Sequence, residues 1–359
     1  MADRSGRRSR GRQRQAAIVL LLIAVIGTVL FLRRGGDQED AVPPSSSDNT
    51  EAEAEAEPIE DVSPCPSPEA FCIALVTSTS VADDQLSAVG WAAVEQLSDD
   101  NDAAIGLVES PVPVDQVPDL QALVNEGFDL IVTVGFDLAG PTRTSALANP
   151  NTDFVALGQP PGDVIPNLAV VSFPVSDAGL LAGKLAAMVS ETGVIAAVLG
   201  TDLLPATVVL ADGFEQGALS VNPDIEVLTR FHPGTLDEAA DDPEWGADTT
   251  AELLANGADV VLEAGGTTGA GVLARAAGSE GVFCLGLSAD RWELVESARP
   301  CLLSSAADRV DLALADLIAS HLDGTFPGGE YGGKVELTPY REFTEQVPEA
   351  ATALLATDS

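Results

Sequence analysis

The chain has 359 residues, with 17 Lys or Arg, 56 Asp or Glu and two His, a length that suits about two domains of roughly 150 residues, each with its own core. The charge divides at Arg34: eight Arg against one Asp up to that point, net +7, then nine basic against 55 acidic residues, net −46. So acidic a body repels phosphate backbones, which excludes nucleic acid as a partner, while 46% hydrophobic content excludes a wholly disordered chain.

Residues 1–15 form a basic tail containing six Arg. Residues 16–32, AAIVLLLIAVIGTVLFL, are 17 positions without a charge. At 1.5 Å per residue that stretch just reaches across a hydrocarbon core, so a transmembrane helix is expected. Six Arg before it and two after it put the N-terminus in the cytoplasm and the body outside. A cleaved signal peptide is the alternative, although no small-x-small cleavage site precedes Arg33. Residues 33–68 carry EAEAEAE, a serine run and several Pro, with almost nothing apolar to bury. They read as a solvated, self-repelling linker that holds the body away from the membrane.

The four Cys fall into two local pairs, Cys65 with Cys72 and Cys284 with Cys301. Disulfides persist outside the cytoplasm, so both pairs are expected to be bridged; four buried thiols are the alternative. Neither pair has C-x-x-C spacing or a nearby His, which argues against zinc.

From residue 71 onward, short runs rich in Val, Ile and Leu alternate with longer segments of helical period. The runs are 71–79, 103–110, 128–135, 153–158 and 168–174, then 193–200, 225–231, 258–265, 282–288 and 301–306. Helical periodicity appears over 85–97, 177–189, 206–219, 249–255 and 307–321. This alternation is the signature of parallel sheets covered on both faces, an α/β fold, and ten strands divide best into two lobes of five. In such sheets ligands bind beyond the carboxyl ends of the strands. The candidate ligand-binding residues at those ends are Asp83, Ser87, Phe136, Gly265, Gly266, Ser288, Asp290 and Asp308. EAGGTTGAG, 263–271, is the most glycine-dense of the turns, but it lacks the G-x-G-x-x-G spacing of a dinucleotide site. No cofactor or metal is expected.

The series ALVTSTSVADDQLSAVGWAAVEQL (from Ala74), GFDLIVTVGFDLAG (from Gly127), PNLAVVSFPVSDAGLLAGKLAAMVS (from Pro166), ADGFEQGALSVNPDIEV (from Ala211), GADVVLEAGGTTGAGV (from Gly257) and LLSSAADRVDLALADLI (from Leu302) spans nearly the whole body. It resembles the basic membrane protein family of substrate-binding proteins, which includes purine nucleoside receptors of bacterial import systems. The resemblance implies a type I periplasmic-binding-protein fold, two Rossmann-like lobes joined by three crossovers, with an N-terminal lobe of 69–174 and 306–326 and a C-terminal lobe of 175–305 and 327–359. It also implies a small-molecule solute, and a permease and an ATPase subunit of an ABC importer as partners.

Three positions depart from the family. Its first helix opens with an Asp-Lys-Ser-Phe-Asn-Gln type motif, and alignment on Trp91 keeps the Asp as Asp83 but turns the Phe into Leu86 and the Asn into Ser87. The Asp that grips ribose is Ser288 here, with Asp290 two residues on, and the family's Lys aligns with Asp308. Two charge-assisted hydrogen bonds and one aromatic pair amount to roughly 4 to 7 kcal/mol, so the family's purine nucleoside is expected to bind poorly. The leading expectation is a membrane-tethered receptor for another small polar solute; the alternative is a sensory or scaffold ectodomain that has lost transport. His232 and His321 lie in no familiar catalytic spacing, so an enzyme is not expected.

Overall fold

The computed structural model describes residues 65–67, 69–82 and 84–355. The tail 1–15, the apolar run 16–32, residues 33–64 of the linker and the candidate Asp83 lie outside them. Among the described residues no helix is long and apolar enough to cross a membrane.

All ten apolar runs form strands. In one sheet are β1 (Cys72–Thr77), β2 (Ala104–Glu109), β3 (Leu130–Val134), β4 (Asp153–Leu157) and β5 (Leu168–Ser172). In a second are β6 (Val194–Leu199), β7 (Glu226–Phe231), β8 (Val260–Glu263), β9 (Phe283–Ser288) and β10 (Leu302–Asp308). Two short strands complete them: β11 (Gly329–Gly332) and β12 (Val335–Leu337). The first sheet runs β11-β5-β4-β3-β1-β2, parallel throughout. The second runs β12-β10-β9-β8-β6-β7, parallel except for β12 against β10. β1, β3 and β8 are buried at every position, which is why their sequences are near-continuous apolar runs rather than alternating ones. The edge strand β7 has no fully buried residue.

Helices cover both faces of each sheet. α1 (Gln85–Asn101) packs on one face of the first sheet, α2 (Gln116–Asn125) and α3 (Ala139–Ala148) on the other. In the second lobe α4 (Val175–Val189) and α5 (Pro205–Val221) lie on one face. α6 (Leu236–Ala240) leads to α7 (Pro243–Ala255) and α8 (Gly266–Ala277) on the opposite face, and the short α9 (Arg291–Leu294) follows β9. α10 (Val310–Leu322) returns to the first sheet, and α11 (Glu349–Thr352) closes the second core.

Three crossovers join the lobes. The chain leaves the first sheet through Phe173 and Pro174, returns through Arg309, and leaves again through Gly333 and Lys334. They are tied side by side: Gly333 N–H donates to Ser172 O (2.8 Å) and Arg309 N–H to Lys334 O (2.9 Å). Strand pairing moves two lobe boundaries from where they were expected. β10 keeps residues up to Asp308 in the second lobe, and residues 329–332 belong to the first, because they satisfy the open edge of β5 from Ala169 to Ser172.

The second core has an unusually close helix pair. Gly179 and Gly183 of α4 face Gly213 and Gly217 of α5, each pair one helical turn apart. A Cβ at Gly183 would lie 2.0 Å from the carbonyl oxygen of Phe214, and one at Gly217 2.2 Å from that of Leu180. With no side chains between them, the two backbones touch, and α5 is held fast against α4.

Candidate functional site

Strand order reverses between β1 and β3 in one sheet and between β6 and β8 in the other, and the crevice beyond such reversals is where open α/β sheets hold ligands. A cavity of about 310 Å³ lies there, walled on one side by the start of α1 (Asp84, Gln85, Leu86, Val89) and on the other by the β8–α8 turn, the end of β9 and Asp308. Asp84 positions the α1 wall: its carboxylate accepts from Ser87 N–H at 2.7 Å, capping the helix. Gly265 and Gly266 make the opposite turn with φ of 131° and 50°, and a Cβ on Gly266 would stand 2.4 Å from Ala240 O. Ser288 sits in the left-handed region at φ 65°, which aims its exposed side chain into the same space.

A second cavity, also about 310 Å³, adjoins the first through shared walls at Ala264, Gly265 and Leu287. It is an open cavity lined by Val175 at the start of α4, Leu204 and Leu210 at α5, and Leu236 and Ala239 of α6, with Thr201 and Thr207 the polar side chains of a mainly apolar lining. A third, of about 400 Å³, lies on the hinge side of Asp308 among Asp290, Arg309, Asp311 and Glu336.

The charged groups of this region are mostly paired. Glu263, the last residue of β8, is completely buried; its Oε1 accepts from Arg291 Nε at 2.6 Å and from Leu287 N–H at 3.3 Å, while Oε2 has no hydrogen-bond partner. Burial pushes its carboxyl up, and the Arg291 guanidinium acts against that shift. Gly269 keeps space open for this carboxylate, since a Cβ there would fall 2.0 Å from Oε2. Arg291 also reaches across the cleft to Gln85 Oε1, so one guanidinium links the two lobes. Arg309 is held by Asp311 (2.7 Å) and Glu336, which raises its pKa further. Arg341 binds Asp290 at 2.6 Å and Glu293 at 3.3 Å and lies 5.1 Å over the Trp292 ring.

Asp308 is the exception. It lines both the first and the third cavity, its carboxylate forms no hydrogen bond or ion pair among the described residues, and burial pushes its pKa up to about 7.

Of the residues expected at the site, Gly265, Gly266, Ser288 and Asp308 come together around the first cavity. Ser87 does not: it is buried, with its hydroxyl 2.7 Å from that of Thr77, because capping by Asp84 starts α1 at Gln85 and turns Ser87 toward the end of β1. Asp290 is on the hinge side, committed to Arg341 and to Trp292 N–H. Phe136 stands at the end of β3, 72% exposed, and lines none of the three cavities. Arg291, Glu263, Gln85 and the apolar pocket were not anticipated. A Glu closing a Val-Val-Leu strand is the one local hint, since a carboxylate that deep requires a cation.

Both Cys pairs are disulfides. Cys65–Cys72 has a Cα–Cα separation of 6.0 Å, and Cys284–Cys301, joining the start of β9 to the residue before β10, one of 5.2 Å. Among the described residues the cluster with metal-ligating atom types is Cys65, Cys72 and Asp129, whose two sulfurs are bonded to each other. Neither His lines the three cavities; His321 pairs with Asp153 (2.8 Å), and His232 lies edge-on to Trp245.

Comparison with known proteins agrees with this geometry. The family model described as ABC transporter substrate-binding protein PnrA-like matches residues 71–332. The CD4+ T-cell-stimulating antigen of Listeria monocytogenes is 27% identical over 285 residues, 73% of this chain and 77% of that one. The ABC transporter nucleoside-binding protein BmpA of Lactococcus lactis is 25% identical over 276 residues, 71% and 76% of the two chains. Among solved structures, an ABC-transporter solute-binding protein from Conexibacter woesei shares the fold, with a TM-score of 0.66 at 20% identity over 80% of this chain and 94% of its own.

Proposed function

We propose, from the premise that this chain belongs to the family of PnrA-like ABC-transporter substrate-binding proteins, that it is an extracytoplasmic receptor which captures a small solute other than a purine nucleoside. Residues 16–32 anchor it in the membrane, 33–68 carry the body outward, and the closed cleft delivers its solute to the permease and ATPase subunits of an importer. The observation that supports the reading most is the interlobe cavity itself: it lies at the carboxyl ends of both sheets, and its walls come from two lobes joined by three adjacent crossovers, the arrangement of hinge-closing receptors.

The exclusion of nucleosides rests on three side chains around that cavity. Leu86 lacks the ring that would stack on a base, Ser288 lacks the carboxylate that would grip ribose, and Asp308 offers an acid where the family has a Lys. Titration calorimetry of the full-length chain with guanosine and inosine tests this part, and micromolar binding of either refutes it. A thermal-shift screen across nucleosides, sugars, amines and amino acids tests the receptor reading, because saturation to about 100 times the dissociation constant adds about 2.7 kcal/mol of stability. No shift with any class refutes it.

A further inference from the structure

We infer that the cleft selects a hydrophobic organic cation, its charged nitrogen against Asp308 and its hydrocarbon in the adjoining apolar cavity. The inference rests on the reading that the cleft is a solute site, and it names the class of that solute.

The first part of the argument is a charge inventory. Three guanidinium groups face or approach the cleft, and each is taken: Arg291 by Glu263, Arg309 by Asp311 and Glu336, Arg341 by Asp290 and Glu293. An anionic solute would therefore meet no unpaired cation and would have to enter beside Asp308. That carboxylate is half-buried, lines the cavity, and has no donor among the described residues. A partly desolvated carboxylate is stabilised most by a cationic donor, since charge-assisted bonds are roughly twice as strong as neutral ones. The net charge of the chain, −39, draws cations toward the surface in the same sense.

The second part is shape. Ala264, Gly265 and Leu287 border both the charged cavity and the apolar one, which sets the two side by side for one molecule with a charged and a hydrocarbon end. The apolar cavity offers Leu204, Leu210, Leu236 and Val175, with Thr201 and Thr207 as the polar side chains of a mainly apolar lining. A sugar or a short polar amino acid would leave its own hydroxyls or charges unpaired there, which costs affinity, whereas a ring or an alkyl chain gains from burial. One end demands positive charge and the other demands hydrocarbon.

The test uses matched probes on the full-length chain: phenethylamine, hexylamine and tryptamine, each beside the alcohol and the carboxylate of the same hydrocarbon. Calorimetry at pH 8 is expected to show at least one amine binding roughly 10- to 100-fold more tightly than its alcohol, the worth of one charge-assisted pair, with the carboxylate silent. Asp308→Asn is expected to remove the amine's advantage, and Leu236→Asn, at a position 48% exposed and so tolerant of the change, is expected to weaken every amine that binds. Equal binding of amine and carboxylate, or an amine preference that survives both Asp308→Asn and Asp308→Ser, overturns the inference. A cleft that binds a neutral sugar but none of the amines overturns it while leaving the receptor reading intact; a cleft that binds nothing overturns both.

Discussion

Replacing Asp308 with Asn is expected to stabilise the protein, by an amount that grows as the pH rises through the acid range and is complete above about pH 7. Burial raises the pKa of this carboxyl from 3.8 to about 7, so the folded chain holds the proton to a higher pH than the unfolded chain does. Well below pH 3.8 both states are protonated and the side chain behaves much like Asn. As the pH climbs toward 7, the unfolded state releases the proton first, and stability falls; above that range both states are ionised and the loss is constant. The span between the two pKa values corresponds to at most about 4 kcal/mol at 1.36 kcal/mol per tenfold, and water entering the open cavity trims it to about 2 to 4. Urea unfolding of wild type and Asp308→Asn at intervals from pH 4 to pH 8 measures it, since the other acidic groups cancel in the difference. The expected difference is under about 1 kcal/mol at pH 4 and about 2 to 4 kcal/mol in favour of Asn at pH 8. A flat difference curve, or an Asn variant less stable at pH 8, would show that Asp308 is better solvated or better paired than its surroundings imply.

Three further outcomes follow from other parts of the molecule. Arg291→Met leaves the fully buried Glu263 without its cation and is expected to cost about 3 to 5 kcal/mol at neutral pH; adding Glu263→Leu should recover most of it in chemical denaturation, and no recovery would count against a buried pair. Replacing Cys284 and Cys301 together with Ser opens a bridge that spans 17 positions, with an expected loss of about 2 to 4 kcal/mol that vanishes if both proteins are compared after reduction. Gly183→Ala drives a methyl into the Phe214 carbonyl, and thermal melts should show a loss of about 1 to 3 kcal/mol; an unchanged melting temperature would mean that α4 and α5 can slide apart freely.

The strands were legible because parallel sheets bury both faces, and Val-, Ile- and Leu-rich runs such as 130–134 and 194–199 have no other soluble explanation. β11, with the sequence GEYG, carries no such signal, since an edge strand needs only backbone groups to pair with β5. α8 begins GTTGAG, a poor helix sequence; its glycines serve contact, with Gly271 against Pro243 O and Gly269 beside Glu263, so packing overrides propensity. At the site, reading strand ends picked out Gly265, Gly266, Ser288 and Asp308, which the fold gathers around one cavity. Ser87 and Asp290 lie away from that cavity because their partners, Thr77 and Arg341, are chosen by the fold and lie 10 and 51 residues away. Arg291 and Glu263 were illegible for the same reason, being 28 residues apart and on different strand ends.

The glycine seam between α4 and α5 bears on the thermodynamics of capture. Both helices begin at the apolar cavity, α4 with Val175 and α5 just after Leu204, and their backbones are in direct contact a few turns farther along. That wall is therefore immobilised when the chain folds, and a solute entering it has little rotameric freedom left to quench. Most of the entropic cost of recognition then falls on the opposing lobe and the three strands between them, so the heat-capacity change on binding should report apolar burial in a preformed pocket plus the swing of a rigid body, with little coupled folding.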